Sequence, residues 1–174
     1  MTDIVTTEEG TAITAAIERD RRTAADYLLH YAARLADYER AKAEQLGRRH
    51  GAGVPGRASL PGKPTEAQAV RSASYDEEHM EEYRWLKAVA IAERTLSDRK
   101  LLFLQARREA ERHGRGCGKG RPSWIAYTQA RFSELVADRF LQADEELFAR
   151  TARRWWHGIV SFAVDVHLRL CQKQ

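Results

Sequence analysis

Arg150, Arg153 and Arg154 stand close together near the C-terminal end of the chain, with Thr151 among them and His157 one turn further on. A guanidinium is a planar fork of N–H donors that keeps its charge, and it matches phosphate oxygens or the O6 and N7 edge of guanine. Steps of 3 and 4 carry Arg150, Arg153 and His157 along one side of a helix, with Arg154 beside them. Beneath them, Phe148, Ala152, Trp155, Ile159, Phe162 and Val166 recur at steps of 4, 3, 4, 3 and 4, the apolar stripe of an amphipathic helix. Asp144, Glu145 and Glu146 precede the run as an acidic cap. A helix of this build can pack into its own domain and still turn its arginines toward a polyanion. The same residues also fit a solvated basic face with no ligand.

Charge is distributed unevenly. Residues 1–97 hold 14 Lys/Arg against 16 Asp/Glu, whereas residues 98–174 hold 15 against 9. Within the basic half, residues 98–122 carry 8 basic side chains against 3 acidic, a field that favours DNA without specifying a sequence. Arg107, Arg108, Arg115, Lys119 and Arg121 are the candidates for phosphate contacts there, and Arg150, Thr151, Arg153, Arg154 and His157 for contacts in a groove.

Other constellations are weaker. The glycine-rich GRGCGKGRP at residues 114–122 resembles a phosphate cradle, but a Walker loop needs glycine where His113 stands and Ser or Thr where Gly120 stands. A basic loop touching a DNA backbone and a plain connection between helices both fit. Cys117 and Cys171 lack the spacing of metal ligands or of a disulfide framework, so free thiols are expected and neither a metal nor a cofactor is. Glu77, Glu78, Glu81 and Glu82 read as a solvated helix face, since acid/base work needs a pocket that separates their pKa values. His30, His50, His79, His113, His157 and His167 are scattered, and no nucleophile, base and orienting group fall at a recognisable spacing. No enzymatic activity is expected.

The elements that must position these residues are helices. Charged residues make up 31% and apolar residues 43%, a helix-rich composition. No apolar run is long enough to span a membrane, and the start has no basic head before an apolar core, so a cytoplasmic protein is expected. Residues 1–10 read as a flexible N-terminus. Residues 11–46 read as a long helix with a heptad-like seam of Ala24, Leu28, Tyr31, Leu35 and Tyr38 continuing to Lys42 and Gln45, which needs a partner helix from this chain or another copy. Five glycines and three prolines make residues 47–74 a linker. Residues 75–174 form the remaining domain. One helix opens near Tyr75 with Asp76, Glu77 and Glu78 at its start and carries Trp85, Val89, Ala92 and Leu96. Another, Asp98 to about Arg112, follows Ser97 as N-cap. A third opens at Pro122 and Ser123 and buries Trp124, Ile125, Thr128, Phe132, Leu135 and Val136. A short break at Leu141 to Ala143 leads to the arginine-bearing helix. The fold class is therefore all-α, a long helix or coiled-coil extension plus a bundle with a helix-turn-helix at residues 122–170.

The order of these parts resembles phage-encoded transcription regulators of the ArpU and RinA type, which carry a sigma-factor region-four-like helix-turn-helix. The resemblance rests on Asp26-Tyr27-Leu28-Leu29 through Gln45-Leu46, on Tyr83 to Leu96, on Leu101-Leu102-Phe103-Leu104-Gln105-Ala106-Arg107, on Trp124-Ile125, and on Arg150, Thr151, Arg154 and Trp155 in an Arg-Thr-x-x-Arg-Trp pattern. Trp124 and Thr151 lie 27 positions apart, further than in that family's pattern, so the first motif helix is lengthened. The resemblance implies a sequence-specific regulator of phage or prophage late genes that binds double-stranded DNA, with RNA polymerase as a possible partner. A homo-oligomer is expected, with a dimer favoured. Two alternatives are a phage small terminase subunit, which also joins a helix-turn-helix to oligomerising helices, and a structural helical protein whose basic half serves only solubility.

Overall fold

A computed structural model of the chain describes residues 5–48, 66–114, 123–140 and 146–172. Its elements are α1 (Val5–Arg48), α2 (Glu66–Glu78), α3 (Met80–Thr95), α4 (Asp98–Gly114), α5 (Trp124–Phe140) and α6 (Ala149–Gln172), and no strand occurs among the described residues. The fold is all-α. Most of the expected linker lies outside the described residues, but its last part is helical, because α2 begins at Glu66 directly after the final breaker, Pro64.

The seam of α1 is satisfied within the chain. Ala24, Leu28 and Tyr38 are buried, Tyr31 and Leu35 pack against the core, and α1 touches α2, α3, α4 and α6. Lys42 and Gln45 prolong the seam through polar contacts, Lys42 Nζ to Asp76 Oδ1 at 2.5 Å and Gln45 Nε2 to Glu78 Oε2 at 3.1 Å. Tyr38 donates its hydroxyl to the same Asp76 oxygen at 2.6 Å, and burial together with that bond raises the phenol pKa. Asp76, Glu77 and Glu78 thus end α2 rather than starting a helix, and Asp76 and Glu78 serve α1. The chain bends at His79 without losing its ladder, since His79 N–H donates to Tyr75 O and Tyr83 N–H to His79 O, both at 3.0 Å.

α1 itself is kinked at His30, where φ is −110° and ψ is 17°. His30 Nδ1 lies 3.0 Å from the Asp26 carbonyl oxygen and 2.9 Å from Asp26 Oδ1. Both oxygens are acceptors, so that nitrogen carries the proton, and a side chain inserted on the i−4 carbonyl is a recognised cause of helix bending.

Two helix pairs dominate the packing, α4 on α5 and α3 on α6, with α1 laid across α3 and α6. Phe103 of α4 and Phe132 of α5 both meet Trp155 of α6 edge-on, at 5.7 and 5.8 Å between centroids. On the other side, Trp85 of α3 is sandwiched between Tyr27 of α1 at 5.9 Å and His167 of α6 at 3.7 Å. α5 starts at Trp124, later than the opening at Pro122 and Ser123 read from the sequence, with Ser123 Oγ accepting the Ile125 N–H at 3.3 Å; Ile125, Thr128, Phe132, Leu135 and Val136 are buried, and Trp124 is half-buried. Pro122 lies outside the described residues. The buried Thr128 hydroxyl is satisfied by the Trp124 carbonyl at 2.7 Å. No helix among the described residues is long and apolar enough to cross a membrane.

Candidate nucleic-acid interface

α6 has two faces. Ala152, Ile159, Val160, Ala163, Val164 and Val166 are buried, and Trp155, Trp156 and Phe162 pack partly against the core. Arg150, Arg153, Arg154 and His157 are exposed, Thr151 is half-buried, and none of the three arginines forms an ion pair or hydrogen bond with a described residue. The first turn of α6 has no acidic side chain. Glu146 is exposed and precedes the helix, and Asp144 and Glu145 lie outside the described residues, so the acidic cap is not part of the helix. Three guanidiniums without an ion pair among the described residues thus share the N-terminal turns with the positive end of the helix dipole, a placement that a bound anion would relieve.

One member of the expected stripe is placed otherwise. Phe148 is 63% exposed, because α6 begins one residue later and Phe148 falls outside the helical period. Its carbonyl accepts the Ala152 N–H at 2.9 Å, which makes Phe148 the N-cap residue, and Leu147 fills the core position instead. The Leu147 carbonyl accepts Gln129 Nε2 at 2.5 Å. Leu147 therefore lies against α5 at Gln129. Residues 146–148 are outside any helix, so α6 starts later than the short break read at Leu141 to Ala143 predicts.

The expected phosphate contacts divide. Arg107 is 7% exposed, with its guanidinium 4.6 Å from the Trp124 ring and 5.2 Å from the Trp156 ring, and Nη1 donating to Glu111 Oε2 at 3.2 Å. Burial lowers its pKa and Glu111 opposes the shift. Arg108 is also engaged inside the molecule, donating Nε to the Leu28 carbonyl at 2.7 Å and pairing through Nη2 with Glu93. The phosphate role read for Arg107 and Arg108 is therefore corrected: both tie α4 to neighbouring helices. A helical period alone does not separate a buried arginine from a solvated one, and the adjacent position of Trp124 and Trp156 in space was not visible in their numbering. Arg115, Lys119 and Arg121 lie outside the described residues, as does Cys117.

Arg107 also locates the arginines of α6. By joining Trp124 and Trp156 it brings the C-terminal half of α4, the start of α5 and the first half of α6 to one end of the molecule. Arg112 of α4 is exposed, a basic residue not singled out from the sequence. No group of three or more His, Cys, Asp or Glu side chains placed to hold a metal occurs among the described residues. The exposed arrangement can neutralise and orient an extended anion. Set against protein-family models, curated proteins and solved structures, the chain matches none.

Proposed function

We propose that the protein binds double-stranded DNA through the N-terminal half of α6 and acts as a sequence-specific regulator of transcription. One observation carries the reading: Arg150, Arg153 and Arg154 are exposed and unpaired among the described residues, on a helix held rigid by its opposite, buried face. Guanidiniums on a rigid helix can enter a major groove or straddle its phosphates, with Thr151 and His157 at the margin. The resemblance to phage regulators of the ArpU and RinA type favours the same class.

The deciding experiment is a gel shift against the chain's own neighbouring genomic DNA at two salt concentrations, with wild type beside Arg150→Ala and Arg153→Ala. Wild type is expected to lose affinity steeply with salt, and each variant to show a slope smaller by about one when it has lost a phosphate contact. Loss of a base contact instead costs roughly 1–3 kcal/mol of discrimination. Equal retention of all three proteins would remove α6 from the interface.

A further inference from the structure

The aromatic side chains of this protein number fifteen, and fourteen of them are buried or half-buried. The fifteenth is Phe148, 63% exposed, two residues before Arg150. Its backbone is held on both sides. Leu147 is buried and bonded to Gln129, and the Phe148 carbonyl caps the ladder of α6 through Ala152. The ring is thus presented to water from a fixed anchor. Phe148 also occupies an N-cap, where a side-chain oxygen would satisfy the free N–H groups of the first turn and where phenylalanine offers none. Local stability explains neither its identity nor its exposure.

We propose that Phe148 is a base-stacking residue of the α6 site, entering between neighbouring bases of a duplex whose phosphates Arg150, Arg153 and Arg154 hold. An exposed ring two residues before a run of exposed arginines combines what such a contact requires, an apolar face for a base and cations for the flanking phosphates. Unstacking a base step costs free energy, so the site favours DNA in which a base is already free to leave its stack. The proposal rests on the DNA-binding reading of α6 and adds the form of DNA that it prefers.

Two duplexes of one sequence test it, the first fully paired and the second carrying a single unpaired 2-aminopurine. Wild type is expected to bind the bulged duplex about tenfold tighter, the effect of roughly one base–aromatic stack, and to quench its fluorescence. Phe148→Ala is expected to lose both the preference and the quench while keeping the salt dependence, and Phe148→Tyr to restore them. Arg153→Ala should weaken both duplexes alike and keep the preference. Because the ring lies outside the core, an unchanged circular-dichroism melt accompanies Phe148→Ala. Should Phe148→Ala retain the quench, or alter the sedimentation coefficient in place of the preference, stacking is overturned while DNA binding stands. If wild type shows no salt-dependent affinity for either duplex, the DNA reading fails and stacking fails with it.

Discussion

Two tryptophans from different helices enclose the Arg107 guanidinium, and its Nε is buried without a hydrogen-bond partner among the described residues. That arrangement is tolerable only because Glu111 and the faces of Trp124 and Trp156 compensate the cation. Arg107→Ala removes all three contacts, so a loss of about 2–3 kcal/mol is expected, read as a lower urea midpoint at unchanged slope. A variant as stable as wild type would mean that α4, α5 and α6 are held together elsewhere. His167 gives a pH dependence. Burial against Trp85 lowers its pKa below the ordinary 6.5, an effect that Asp20 and Glu81 oppose and Arg84 reinforces, and its Nδ1 has no hydrogen-bond partner among the described residues. The unfolded chain therefore takes up this proton before the folded one does, and stability falls as pH drops below about 6.5. His167→Gln should flatten this component between about pH 7.5 and about pH 5.5 in urea unfolding. An undiminished slope in the variant would place the dependence on another group.

At the scale of elements, α2 is held to α1 largely by one carboxylate. Asp76 accepts the Tyr38 hydroxyl and the Lys42 ammonium, and Tyr38 meets Tyr75 and Tyr83 as rings at 5.4 and 6.3 Å. Asp76→Ala leaves both donors unmatched in a half-buried site, and a destabilisation of about 1–3 kcal/mol is expected. Faster amide exchange confined to α2 would locate it, and uniform acceleration over the molecule would contradict it. The same contacts explain what could be read beforehand. The seam from Ala24 to Gln45 was legible because it keeps one period over its whole length, and the buried set of α5 was legible because Ser123 marks its start. α2 was missed because Asp76, Glu77 and Glu78 suit a helix N-terminus, while their actual partners lie on α1. Phe148 was misplaced for a related reason, since Leu147 competes for the same core position and periodicity cannot choose between neighbours.

At the scale of the whole molecule, the apolar line of α1 runs past the body that covers it. Ile13 and Ile17 lie 61% and 47% exposed, on the face that continues through Ala24 and Leu28 into the core. Such a line, continuous with a buried interface, suits a second copy in the same orientation or reversed, in keeping with the expected dimer. Sedimentation equilibrium of wild type and of Ile13→Asp with Ile17→Asp checks this: self-association should weaken in the variant, and identical masses would exclude these turns as the contact. The exposure of Arg150, Arg153 and Arg154 on α6 was legible from spacing alone. The burial of Arg107 between Trp124 and Trp156 was not, because it depends on three helices that are distant in sequence.

The sandwich of Tyr27, Trp85 and His167 joins an early helix, a middle helix and α6. During synthesis, the face of Trp85 that His167 covers stays open until α6 is made, since the pairing that closes it is non-local. A nascent chain halted before residue 149 would leave that face to water, whereas the completed chain buries it in one late step.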